Sequence, residues 1–119
     1  MQTLIKSRVD RANIKGALPT IDFNCWGATL FVLGQSDTLE WVDSWHMINW
    51  LCRETKPIKK ATSLGDILVI SDHSLEHTAT YIGRGLWFHK RGSNKAEILS
   101  MAEVLEIYPG RYEFRRLKV

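Results

Sequence analysis

Cys25, His77 and His89 are the residues of this chain whose types and spacing could do covalent chemistry. Cys25 lies in Phe23-Asn24-Cys25-Trp26-Gly27-Ala28-Thr29-Leu30-Phe31, where a polar pair leads into an apolar run. That pattern predicts a helix over 24–33, ending near Gly34, with the thiol in its first turn. The positive end of a helix dipole favours the thiolate, which is the nucleophilic form of cysteine. His77 and His89 fall in two short strands on either side of Gly83-Arg84-Gly85, a hairpin loop with glycine where positive φ is needed. Side chains alternate across a strand. If Ile82 pairs with Leu86, Ala79 stands opposite His89 and His77 is its diagonal neighbour. Both imidazoles then project from one face of the sheet, and packing the Cys25 helix on that face would assemble a Cys–His–His triad.

The roles follow from the residue types. Cys25 attacks an amide carbonyl, and His77 takes the thiol proton and returns it to the leaving amine. His89 holds the His77 ring in the useful tautomer. An acyl-enzyme forms and water releases it, with no cofactor. The Cys25 backbone N–H would hold the oxyanion, with Asn24 as a candidate second donor. Trp26 and Trp87 flank the site and are candidates to line a substrate groove. His73 is the rival base, in a turn-like Ser71-Asp72-His73-Ser74, and His46 reads as a helix residue. A zinc site built from Cys25, Cys52, His77 and His89 would lack the closely spaced ligand pair such sites usually have, so no metal is expected.

The elements that position these residues form two groups. A short helix over 3–14 and a turn from Gly16 to Pro19 precede the cysteine helix. A second helix over 38–54, capped by Ser36 or Asp37, carries the stripe Trp41, Trp45, Ile48 and Cys52, which reads as a buried face. Pro57 ends it. Strands follow over 66–71, 76–82, 86–91 and 95–99. Ser100 and Glu103 form a capping box for a brief helix through Glu106, and Pro109-Gly110 turns the chain into a last strand over 112–117. Helices followed by an antiparallel sheet make an α+β architecture, expected as one domain over 1–119.

A chain of 119 residues is long enough to bury a sufficient core without a disulfide framework, and its two cysteines could make only one bridge. The net charge of +3 permits attraction to an anionic polymer. Apart from Lys59-Lys60 and Arg115-Arg116, which read as solvated surface, its basic residues are dispersed and lack an aromatic-basic surface motif, which argues against a nucleic-acid binder. Residues 1–16 hold Lys6, Arg8, Asp10, Arg11 and Lys15 and no apolar stretch of signal length. Neither a secretory signal nor a membrane span is expected.

Over residues 20–92 the chain resembles the NlpC-type cysteine peptidases, a papain-like group that cleaves peptide bonds in bacterial cell-wall peptides. The family carries Asp-Cys-Ser-Gly at the helix start, where this chain has Asn24-Cys25-Trp26-Gly27. It carries Gly-Asp before a buried strand, here Gly65-Asp66-Ile67-Leu68-Val69. It carries His-Val-Gly-Ile-Tyr-Leu-Gly and then a third polar residue, here His77-Thr78-Ala79-Thr80-Tyr81-Ile82-Gly83 and then His89. The family's tyrosine and Trp-Gly-Gly element before the cysteine have no counterpart in Gly16-Ala17-Leu18-Pro19-Thr20.

The resemblance implies a papain-like fold and hydrolysis of peptidoglycan stem peptides through Cys25, His77 and His89. The rival reading keeps the chemistry and changes the target to a protein, as a protease, deamidase or acyl transferase. A papain-like scaffold used only for binding is the non-enzymatic alternative. Small family members without a signal include phage enzymes and toxic amidase effectors. Such a protein would be made in the bacterial cytoplasm and delivered to a periplasm or target cell by a non-standard route, with an immunity or inhibitor protein as a further partner.

Overall fold

The computed structural model describes residues 2–118. Helix α1 (Gln2–Lys15) is followed by α2 (Cys25–Val32) and α3 (Ser44–Glu54). Strands β1 (Thr55–Ile58), β2 (Ile67–Asp72), β3 (Ser74–Gly83), β4 (Leu86–Lys90) and β5 (Ala96–Ser100) come next. Helix α4 (Met101–Ile107) and strand β6 (Arg111–Leu117) complete the chain. All six strands pair antiparallel in one sheet of order β1-β6-β2-β3-β4-β5.

The apolar run of β2 is continuous because both faces of the sheet are covered. Ile67 and Val69 join Leu30 of α2, Leu33 just past its end, and Met47, Trp50 and Leu51 of α3. The alternate residues Leu68 and Ile70 join Ala79, Trp87 and Val104 on the face closed by α4. A third cluster packs Ile5 and Val9 of α1 and Phe31 of α2 on Phe88 of β4. Each fully buried Phe or Ile of this kind contributes about 1.5–3 kcal/mol. Among the described residues no helix is long and apolar enough to cross a membrane.

Helix α3 differs from its sequence reading. Asp43 caps it by accepting the His46 N–H at 2.8 Å. Ser36 instead bonds the backbone of Thr38 and closes a local turn. The helix therefore starts later than expected, and its buried residues are Met47, Trp50 and Leu51. Trp41 and Trp45 are exposed, and so is Cys52, which is not a core residue. The helix ends at Glu54, before Pro57, and strand β1, which was not expected, carries Pro57. That strand lies at the edge of the sheet, where a missing N–H is tolerated. The Ser100–Glu103 capping box forms as read.

Candidate active site

The start of α2 is held by Asn24. Its side-chain oxygen accepts the Gly27 N–H at 2.9 Å and the Val42 N–H at 3.2 Å. Its amide nitrogen donates to the Val42 carbonyl at 2.7 Å. Both ends of the amide are thus committed to the backbone: Asn24 caps the helix and straps it to the segment before α3. That segment passes very close, since a Cβ on Gly27 would lie 1.8 Å from the Glu40 carbonyl oxygen. Only glycine fits there.

Cys25 is the first residue of α2 and is 6% exposed. The helix does not pack on the histidine face, as the sequence reading supposed. Thr29 of α2 meets the Thr78 side chain, their hydroxyls 2.8 Å apart. Thr78 and His77 are adjacent in β3 and so point to opposite faces. The thiol reaches the histidine strand by another route. The Tyr81 N–H donates to Asp66 on the β2 side, so alternation turns the Thr78 N–H toward β4. The β3–β4 ladder runs through Thr80↔Phe88, Tyr81↔Trp87 and Gly83↔Leu86, with a bulge near the turn in place of an Ile82–Leu86 pair. It does not extend to Thr78. The Thr78 N–H faces the Cys25 sulfur there and favours its charged form. The N-terminus of α2 therefore meets the sheet where β3 and β4 part.

His77 and His89 are both fully buried, and His77 Nε2 lies 2.7 Å from His89 Nδ1. His89 Nε2 lies 3.1 Å from Glu97 Oε1, and the Arg91 Nε donates to that same oxygen at 2.6 Å. Tyr108, just past α4, stacks on His77 with ring centroids 3.8 Å apart and planes 11° apart. His77 Nδ1 is buried and has no hydrogen-bond partner, so no such bond joins it to the thiol.

Burial governs the protonation states. It pushes the Cys25 thiol up to about 11, against the N–H groups of Thr78, Trp26 and Cys25 itself and the Lys90 charge, which favour the thiolate. The helix terminus therefore does not yield a resting thiolate. Burial, and then the charge of His89, holds His77 well below the ordinary histidine value. Burial also lowers His89, although the Glu97 carboxylate opposes it. Burial, with the Cys25 charge adding to it, pushes Tyr108 up to about 12. The resting pair is a neutral thiol and a neutral imidazole.

The other sequence candidates fall as follows. Trp87 is 3% exposed and packs with Leu68 and Val104, so it is a core residue and cannot line a groove. Trp26 is partly buried against the α2–α3 cluster, and its indole N–H has no partner. His73 sits in the β2–β3 turn with φ of 67° and an exposed ring, and His46 is exposed on α3. Asp66 is structural: Arg116 bonds both its oxygens, at 2.7 and 2.8 Å, and the Thr62 and Ser63 N–H groups donate to one of them.

Lys90, Glu97 and Tyr108 escaped the sequence reading. Lys90 is buried, bonds the carbonyls of Thr20, at 2.7 Å, and Gly92, and lies 4.9 Å from the Phe23 ring centre. Pairing β4 with β5 in register puts Glu97 opposite His89, a signal available from strand spacing alone. Nothing in the sequence announces Tyr108, whose position depends on how α4 docks. Among the described residues, no group of three or more His, Cys, Asp or Glu side chains is arranged to hold a metal ion.

No protein-family model matches the sequence, and no curated protein matches it either. Solved structures do match. The NlpC/p60 domain of the peptidoglycan hydrolase SagA superposes with a TM-score of 0.59 at 17% identity, over 95% of this chain and 97% of that one. The fold is of the NlpC/p60 type. An NlpC/p60 family protein from Bacillus cereus superposes with a TM-score of 0.56 at 20% identity, over 91% of this chain. This chain spans 39% of that longer protein. The α+β architecture expected from the order of helices and strands is the one observed, and these neighbours agree with the NlpC-type resemblance.

Proposed function

We propose that this chain is a cysteine hydrolase that cleaves amide bonds in peptidoglycan peptides, with Cys25 as nucleophile, His77 as general base and His89 as its orienting partner. The observation that carries this reading is the buried His77 ring, bonded through Nε2 to His89 and left with Nδ1 free on the strand that meets Cys25. An unbonded buried nitrogen is costly, and a base awaiting a proton explains it.

With both groups neutral at rest, deprotonation accompanies attack. The Cys25 sulfur adds to the carbonyl carbon as its proton passes to His77 Nδ1. The Cys25 N–H, in the first turn of α2 where helical N–H groups have no intrahelical acceptor, donates to the oxyanion. Asn24, whose amide already serves the backbone, is not needed as the second donor. Collapse breaks the C–N bond, and the amine leaves with the proton from His77. Water then attacks the thioester with His77 again taking a proton, which releases the acid and restores the thiol. The NlpC/p60 fold of a named peptidoglycan hydrolase supports the substrate class, and the charge of +3 suits an anionic wall polymer.

The test is digestion of purified peptidoglycan with muropeptide mass spectrometry. New peptide-cleaved fragments are expected from the wild type and none from Cys25→Ala. Intact peptidoglycan beside a modified protein mass would overturn the substrate class in favour of a protein target.

A further inference from the structure

We infer that Glu97 is a positioning residue of this site, fixing through two imidazole rings which nitrogen of His77 is left to accept a proton. The inference rests on the roles proposed above for Cys25 and His77. It begins with the inventory of donors. An ionised carboxylate only accepts hydrogen bonds, and a neutral imidazole has one N–H and one lone pair.

Arg91 donates to Glu97 Oε1 at 2.6 Å, and His89 Nε2 lies 3.1 Å from the same oxygen. Burial raises the Glu97 carboxyl, but the bonds from Arg91 and His89 outweigh it and hold the group below its ordinary value. Facing an acceptor, His89 Nε2 must carry the hydrogen. His89 Nδ1 is then a lone pair, 2.7 Å from His77 Nε2. His77 Nε2 must therefore carry its hydrogen and donate it to His89. That leaves His77 Nδ1 bare, and it is the buried atom without a partner. The opposite tautomer pair would aim the His89 Nε2 lone pair at the carboxylate and put the proton on the nitrogen meant to receive one.

The backbone sets this order. His89 and Glu97 are direct partners in the β4–β5 ladder, and Tyr108 holds the His77 ring by stacking on it. A carboxylate with an arginine behind it thus selects the working tautomer two residues away, as the third member of a triad does for one ring.

The experiment is long-range 15N–1H correlation of histidine-labelled protein near neutral pH. In the wild type, His77 and His89 are expected as Nε2–H tautomers only. In Glu97→Met, which keeps the length and removes the acceptor, the Nδ1–H form is expected to appear on both rings. An Nδ1–H His77 in the wild type would overturn the inference. So would unchanged tautomers in folded Glu97→Met, and if that variant does not fold the wild-type spectrum still decides. The readout needs no turnover. Expected tautomers in a protein that leaves peptidoglycan intact would sink the proposed function alone. Unexpected tautomers in a protein that digests it would sink the role of Glu97 alone.

Discussion

His77 Nε2 lies 2.7 Å from His89 Nδ1 in the interior of the sheet, and neither ring is exposed to solvent. Burial disfavours a charge on either ring, and a charge on His89 would further disfavour one on His77. Their pKa values then link acid stability to the site.

Both folded values lie below the unfolded histidine value of 6.5, so the stabilisation is complete above that pH and is lost as the pH falls through the folded values. Below it, each proton taken up on unfolding removes about 1.4 kcal/mol per pH unit. Urea midpoints measured from pH 7.5 to pH 5 should fall, and His77→Phe should flatten the fall. A midpoint that stays level in the wild type would contradict the burial of neutral rings.

Cys25 alkylation should be slow at neutral pH and should rise toward a plateau near its pKa of about 11. The exposed Cys52, labelled in the same sample, reports that the reagent is active. A plateau already reached by pH 7 would mean a resting thiolate, and the concerted proton transfer to His77 would have to be abandoned.

Gly27→Ala should disturb the site without touching a reacting group. Its new Cβ meets the Glu40 carbonyl at 1.8 Å, so the strap from Val42 to Asn24 must shift. A loss of about 1–3 kcal/mol is expected from overpacking. Amide hydrogen exchange at Val42 and Gly27 should accelerate together, and unchanged protection at both would show that the strap is not as tight as described.

Lys90→Met should leave the Thr20 and Gly92 carbonyls without their buried partner. The loss is about 1–3 kcal/mol for each group that water cannot reach. The lysine also ties the segment before Cys25 to the strand carrying His89. The variant should therefore combine a lower urea midpoint with an even higher Cys25 pKa, because a nearby positive charge is gone. A midpoint equal to the wild type would deny Lys90 this role.

Local signals carried much of the fold and part of the site. The helix at Cys25, the Ser100 box and the two-face burial of Ile67 to Ile70 were legible because each is written in adjacent residues. Strand parity brought His77 and His89 together correctly even though the turn carries a bulge, since register is kept at Thr80↔Phe88. Parity could not say which face α2 covers, because that is decided by packing against Phe88, Ile67 and Val69. Trp41 and Trp45 sit at helical spacing, but Trp41 precedes the helix, which starts after Asp43, and Trp45 lies outside the helix face that buries Met47, Trp50 and Leu51. The helix terminus alone points to a thiolate, but burial, which no local pattern reports, outweighs it and raises the thiol.

The most direct test is the rate of amide hydrolysis in purified peptidoglycan peptides by wild type, Cys25→Ala and His77→Ala, each first shown to be folded. Losses of about 10³-fold or more in both variants are expected for a nucleophile and base acting as a unit. Hydrolysis by Cys25→Ala at the wild-type rate would contradict the account.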